Sequence, residues 1–215
     1  MERKLTISGK GQVAVSPDII VISFNAEARA WEYSKTVAEL NQKVENLRAL
    51  VERVGVDRKQ VKTKDFSIQK STNWNKKLEK HEFNGFKATH ALELELPLER
   101  DLINTLLAKV SKEVESLDFR IAFGVKDARE AQQRAILEAI AKAKENAALI
   151  AQATGVQLQE ILDIDFSYRE ITLRSKRHDY PLYEADAMTL YEPTLDFEPD
   201  DIDLNETVTI VWRIA

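Results

Sequence analysis

Few side chains of this sequence have the types and spacing that chemistry needs. There is no cysteine, which excludes thiol catalysis, thiolate metal sites and a disulfide framework together. The three histidines, His81, His90 and His178, are scattered without metal-ligand spacing. Asp196, Glu198, Asp200, Asp201 and Asp203 are the densest acids and could gather a hard cation. They lack the central glycine of a calcium-binding loop, so a solvated acidic segment is the expected reading. Gly9-Lys10-Gly11 begins like a phosphate-cradling loop, but the further glycine is missing and no helix opens after it. A bulge or bend in a first strand is expected there instead. Asp65-Phe66-Ser67 recurs as Asp165-Phe166-Ser167. In both copies the phenylalanine is expected to pack inward from a strand. Residues that occur twice are poor candidates for a single active site. No catalytic, cofactor-binding or metal-binding residue is assigned, and no cofactor is expected.

Charge is spread unevenly around a net of −5. That sign argues against general nucleic-acid binding. Residues 184–206 hold nine acids and neither Lys nor Arg, whereas residues 58–80 hold eight bases, among them Lys62, Lys64 and Lys70. No run of about 20 apolar residues exists to form a membrane-spanning helix. The first residues lead straight into a strand pattern, from which a cytoplasmic location is expected; a periplasmic one follows if a leader has been removed.

The elements follow from periodicity. Ile20, Ile22, Phe24, Ala26 and Ala28 alternate with Val21, Ser23, Asn25, Glu27 and Arg29, the pattern of a half-buried strand. Leu92, Leu94 and Leu96 do the same, as do Leu117 to Phe123 and Val208 to Ile214. Clean alternation favours antiparallel sheet. Val37, Leu40, Val44, Leu47, Leu50 and Val54 step by threes and fours down one helix. Ser34 is expected to cap its start and Gly55 to end it. A second helix, about 127–154, ends at Gly155 and carries an alanine stripe (Ala131, Ala135, Ala139, Ala143, Ala147), so it is expected to be the more deeply enclosed. A shorter helix spans roughly 99–112, a strand 5–15 leads in, and residues 71–84 read as a polar hairpin tip.

Parts of the chain echo at an offset of one hundred residues: Asn46 to Ser67 answers Asn146 to Ser167. The expected class is α+β: two layers, mainly antiparallel sheet with long helices packed on one face, built from two β-α-β-β pseudo-repeats at about 18–96 and 117–215. Residues 1–215 are read as a single domain with two lobes as the alternative. A ferredoxin-like β-α-β-β-α-β order can also be traced through 18–124.

Ile7-Ser8-Gly9-Lys10-Gly11-Gln12-Val13-Ala14-Val15-Ser16-Pro17-Asp18 resembles the opening signature of the SIMPL-domain family. The helix closing at Gly55-Val56, the Thr63 strand, Gly85-Phe86-Lys87-Ala88 and the alanine-rich helix before Gly155 extend the likeness over nearly the whole chain. The resemblance implies a two-layer α+β fold, assembly into oligomers, and a link to the bacterial envelope or stress responses in exported members. It supplies no catalytic residues.

A non-enzymatic homo-oligomeric assembly or binding protein is therefore the first expectation. The polar sheet face (Glu27, Arg29, Glu93, Glu95, Arg120, Arg213) would set register. Residues 176–202 are expected to form an arm whose Tyr183, Leu190, Tyr191 and Phe197 supply affinity. Its acids would meet Lys62, Lys64, Arg174 and Arg177. The rivals are a small-molecule or metal-dependent enzyme with its site under that arm, and an adaptor that binds a partner protein along an exposed strand edge.

Overall fold

The structure, a computed structural model, describes residues 3–76, 78–114, 117–175 and 198–215. Most of the expected 176–202 arm, with Arg177, Tyr183, Leu190, Tyr191 and Phe197, lies outside the described residues. The elements in chain order are β1 (Lys4–Val15), β2 (Ile19–Ala30), α1 (Tyr33–Arg53), β3 (Lys62–Asn75), β4 (Lys80–Pro97), α2 (Arg100–Glu113), β5 (Leu117–Val125), α3 (Arg129–Thr154), β6 (Leu158–Asp165), β7 (Leu173–Arg174) and β8 (Ile202–Ile214), with one 3-10 turn at Arg58–Gln60. The pairs β1–β8, β6–β8, β2–β4, β3–β4 and β5–β7 are antiparallel. The protein is α+β, as its alternating strands imply.

The chain divides into two compact units. One comprises Met1–Asp18, Gly124–Ser175 and Pro199–Ala215; the body of the other is Ile19–Phe123. These boundaries cut across the sequence halves, because β1 joins the unit of α3 while most of β5 belongs with β2.

The Ile19–Phe123 unit runs β2-α1-β3-β4-α2-β5 with strand order β3-β4-β2-β5, the ferredoxin-like arrangement. Ile20, Ile22 and Phe24 of β2 and Leu92, Leu94 and Leu96 of β4 bury their side chains with Leu40, Leu47 and Leu50 of α1 and Ile103 and Leu106 of α2. Two local expectations fail here. Helix α1 starts at Tyr33 after Glu32, and no side chain caps it. Ser34 is already inside the first turn, where Thr36 donates its hydroxyl to the Glu32 carbonyl at 2.9 Å. The supposed polar tip is mostly strand, since β3 and β4 pair from Thr72↔Phe83 out to Asn75↔Lys80.

The other unit is a three-stranded sheet, β1-β8-β6, with α3 on it. Strand β1 pairs with β8 without interruption from Lys4↔Arg213 to Val15↔Ile202, so the expected bulge at Gly9-Lys10-Gly11 is absent. The glycines serve a different purpose. A Cβ on Gly9 would lie 2.0 Å from the Ala139 carbonyl oxygen, and one on Gly11 would lie 1.8 Å from that of Ala135. The strand backbone therefore rests directly on the helix backbone, and Ala135, Ala139, Ala143 and Ala147 are fully buried. Among the described residues the opposite side of α3 is left uncovered, with Leu137 and Leu149 exposed, so the enclosure follows one stripe.

Helices α1 and α3 end alike. Gly55 and Gly155 have positive φ (90° and 72°), and the next residue's N–H reaches back five positions, Val56 to Val51 at 3.2 Å and Val156 to Ala151 at 3.1 Å. That bond is the outer hydrogen bond of a Schellman closure.

Because no backbone can yield so much space, Gly11→Ala should destabilise the protein by about 3 kcal/mol or more. Lys10→Ala, between the two glycines but exposed, should stay within about 0.5 kcal/mol of the parent in urea denaturation.

Candidate functional site

The solvent face of the Ile19–Phe123 sheet is a lattice of ion pairs and hydroxyls. Glu27 is bridged by Lys87 at 2.7 Å and by Arg29 at 2.6 Å. The Lys87 hydrogen bond, ahead of the Arg29 contacts, holds the Glu27 carboxyl below its ordinary pKa. Beside Glu27 in the register, Ser67 and Thr89 share a hydrogen bond of 2.8 Å. Lys64 reaches across to Glu93 at 2.8 Å, and Glu93 is buried. Ser23, Asn25, Asp118 and Arg120 border a shallow depression around that pair. These carboxylates are paired with cations, and the pairs order the sheet surface.

Of the expected contact residues, Lys62 and Lys64 lie on β3, at the sheet edge, and Arg174 is exposed on the two-residue strand β7. The structure brings Glu27, Arg29 and Glu93 together on one sheet. Arg213 belongs to the other unit, where it pairs with Glu160 of β6.

The duplicated phenylalanines part ways. Phe166 packs, half-buried, against the α3–β8 core. Phe66 is 47% exposed on the edge strand β3, and its ring meets His90 edge-on with centroids 5.3 Å apart. The inward packing expected of it fails because β3 is the outermost strand of its sheet. His90 Nε2 shares a 2.8 Å hydrogen bond with Thr63 Oγ1, while Nδ1 is buried without a partner. Burial first, then the Arg48 charge, pushes its pKa below the ordinary 6.5.

A buried polar pair went unnoticed in the sequence. Leu204, Glu206, Val208, Ile210 and Trp212 form one row of β8, and all are buried. Glu206 was counted with the acidic segment, yet it sits in the apolar row opposite Gly11. Its Oε1 accepts from Gln132 Nε2 at 2.8 Å, and the same amide donates to the Arg169 carbonyl at 2.9 Å. A polar residue breaking an apolar period was the available signal. Gln132 also borders an open cleft with Lys126, Arg129, Tyr168 and Glu170. There Arg129 grips Asp127 with bonds of 2.8–3.2 Å and holds that carboxyl below its ordinary pKa. Asp201, one of the acids of 196–203, accepts from Ser16 Oγ at 2.6 Å. Among the described residues, no group of three or more His, Asp or Glu could hold a metal ion.

Aromatic side chains gather where the β3–β4 ribbon extends beyond β2. Trp31 contacts Phe83 edge-on at 5.8 Å, Phe83 contacts Phe86 at 5.4 Å, and Phe86 contacts Tyr33 at 5.8 Å. Trp74 lies against His81 at 5.0 Å. Trp31, Tyr33, Trp74 and Phe83 are all exposed. Their spread over three sequence segments hid this cluster from a reading of periodicity.

The sequence profile of the SIMPL family, described as proteins of unknown function (DUF541), matches residues 5–212. The chain belongs to the SIMPL family. No curated protein matches it at a significant level. The SIMPL match takes in both the glycine pair of β1 and the alanine stripe of α3, as well as the open strand β6.

Two measurements probe this SIMPL chain's polar groups. Replacing Gln132 or Glu206 alone with Leu should cost about 1–3 kcal/mol, because the abandoned partner stays buried, and the double variant should cost less than the sum. His90 should titrate below 6.5 by NMR. Its folded pKa is depressed, so its contribution to stability is full above 6.5 and declines as pH falls from there toward the folded value.

Proposed function

We propose that this SIMPL protein is a non-enzymatic assembly protein whose strands and sheet faces bind other copies of itself. The observation that carries the reading is the concentration of exposed large apolar side chains on strands: Phe66 and Trp74 on β3, Phe83 on β4, and Ile161 and Ile164 on β6, all at least 43% exposed. Isolated apolar residues are ordinary on a surface, but rows of them rimmed by charge mark contact surfaces. The acid-rich 184–206 segment, with Leu190, Tyr191 and Phe197, fits the same role. A link to the bacterial envelope or stress response enters only through the family resemblance.

A second reading, docking of a partner protein, is favoured by the aromatic cluster of Trp31, Tyr33, Phe83 and Phe86. Aromatic groups of this kind dominate the energetics of protein interfaces.

Light scattering on the full chain tests the first reading. A mass above that of the 24.5 kDa monomer is expected, and it should fall when residues 179–201 are deleted. A monomer in both samples would contradict self-assembly. Under the second reading, Trp31→Ala with Phe83→Ala leaves the mass unchanged and removes a partner captured by the parent protein.

A further inference from the structure

We propose that strand β3 of one copy pairs with strand β6 of a second copy, so that the two sheets run on as one. This interface deepens the self-assembly reading and rests on it. Both strands end their sheets: the orders are β3-β4-β2-β5-β7 and β1-β8-β6. Among the described residues nothing pairs with the far side of either, and such an edge is a template for another strand.

The other two edges are less suited. Strand β7 has only two residues. On β1, the Gln12 N–H is already taken by Glu138 of α3 at 3.0 Å.

The charges of the two open edges are opposite. Residues 62–70 carry Lys62, Lys64 and Lys70 against Asp65, whereas residues 158–165 carry Glu160, Asp163 and Asp165 and no base. Lys62, Lys70, Asp163 and Asp165 are exposed and make no ion pair among the described residues. Two β3 edges repel one another, and so do two β6 edges; only the mixed pair brings unlike signs together.

The apolar pattern matches as well. Phe66 and Ile68 are opposite His90 and Ala88 of β4, in the row that faces α1. Ile161 and Ile164 are opposite Trp212 and Ile210 of β8, in the row that faces α3. On each edge, then, exposed apolar side chains line the helix-covered face. Joining the edges with both helical layers on one side would bury Phe66 (47% exposed) against Ile161 and Ile164 (43% and 55%) of the next copy. The two surfaces differ, so the contact is head-to-tail and repeats from copy to copy into a ring or a filament.

The experiment is charge reversal at each edge and at both, read as mass by light scattering over a dilution series, with circular dichroism to confirm folding. The variants are Lys62→Glu/Lys70→Glu, Asp163→Lys/Asp165→Lys, and the four changes in one chain. The expected result is that either pair raises the concentration at which the multimer dissociates by roughly tenfold or more, and that the combined chain, with its signs exchanged, recovers the parent's mass. A multimer indifferent to both reversals, or one that the combination does not restore, overturns this interface and leaves self-assembly standing. Sensitivity to the β3 change alone also overturns it, in favour of the acidic 184–206 segment as the occupant of β3. A parent chain that is monomeric at every concentration overturns the interface and the self-assembly reading together.

Discussion

The contact between the β1 backbone and the α3 backbone sets the terms for the unit built on β1, β6 and β8. Two residues along a strand advance about 6.6–6.8 Å, and four along a helix advance about 6.0 Å. Glycine at every second strand position therefore keeps step with alanine at every fourth helix position. Gly9 meets Ala139 and Ala143, and Gly11 meets Ala135 and Ala139. Neither partner has a side chain that could be shortened further without losing the helix, because a glycine in mid-helix costs roughly 1 kcal/mol relative to alanine. Glu206 lies at this contact. It stands beside Gly11 in the row under the helix, and the Gln132 amide satisfies it there.

The ferredoxin-like unit is organised by a different balance. Its interior is filled by large side chains from β2, β4, α1 and α2, so its stability comes from apolar burial. Its outer sheet face is held by ion pairs such as Glu27–Lys87, each contributing at most about 1 kcal/mol at the surface. That face is ordered, charged and satisfied. The edge strands are the places where backbone groups and apolar side chains stand open together, and this is why the functional reading settles on the strands in preference to the lattice of charges.

Much of the fold was legible in the sequence. Alternation at Ile20–Ala28, Leu92–Leu96 and Val208–Ile214 pointed to antiparallel strands, and the two amphipathic helices with their terminal glycines were visible within a residue or two. The misreadings share a cause. Gly9-Lys10-Gly11 looked like a bend because its partner, the alanine stripe, lies some 130 residues away, and only their juxtaposition shows why side chains are missing from both. Phe66 and Phe166 looked equivalent because local sequence does not say which strand will be outermost. The aromatic cluster draws Trp31, Tyr33, Phe83 and Phe86 from separate segments, and no periodicity links them. Opposite charge on residues 58–80 and 184–206 was plain, whereas Asp163 and Asp165, exposed on the end strand β6, belong to no acid-rich run.

Hydrogen exchange at residue resolution tests most directly whether the open edges are where copies meet. Amides of residues 62–70 and 158–165 should exchange more slowly in concentrated than in dilute protein, while those of β1 keep one rate throughout. Equal rates at both concentrations for β3 and β6, in a sample shown to be multimeric, would contradict the account.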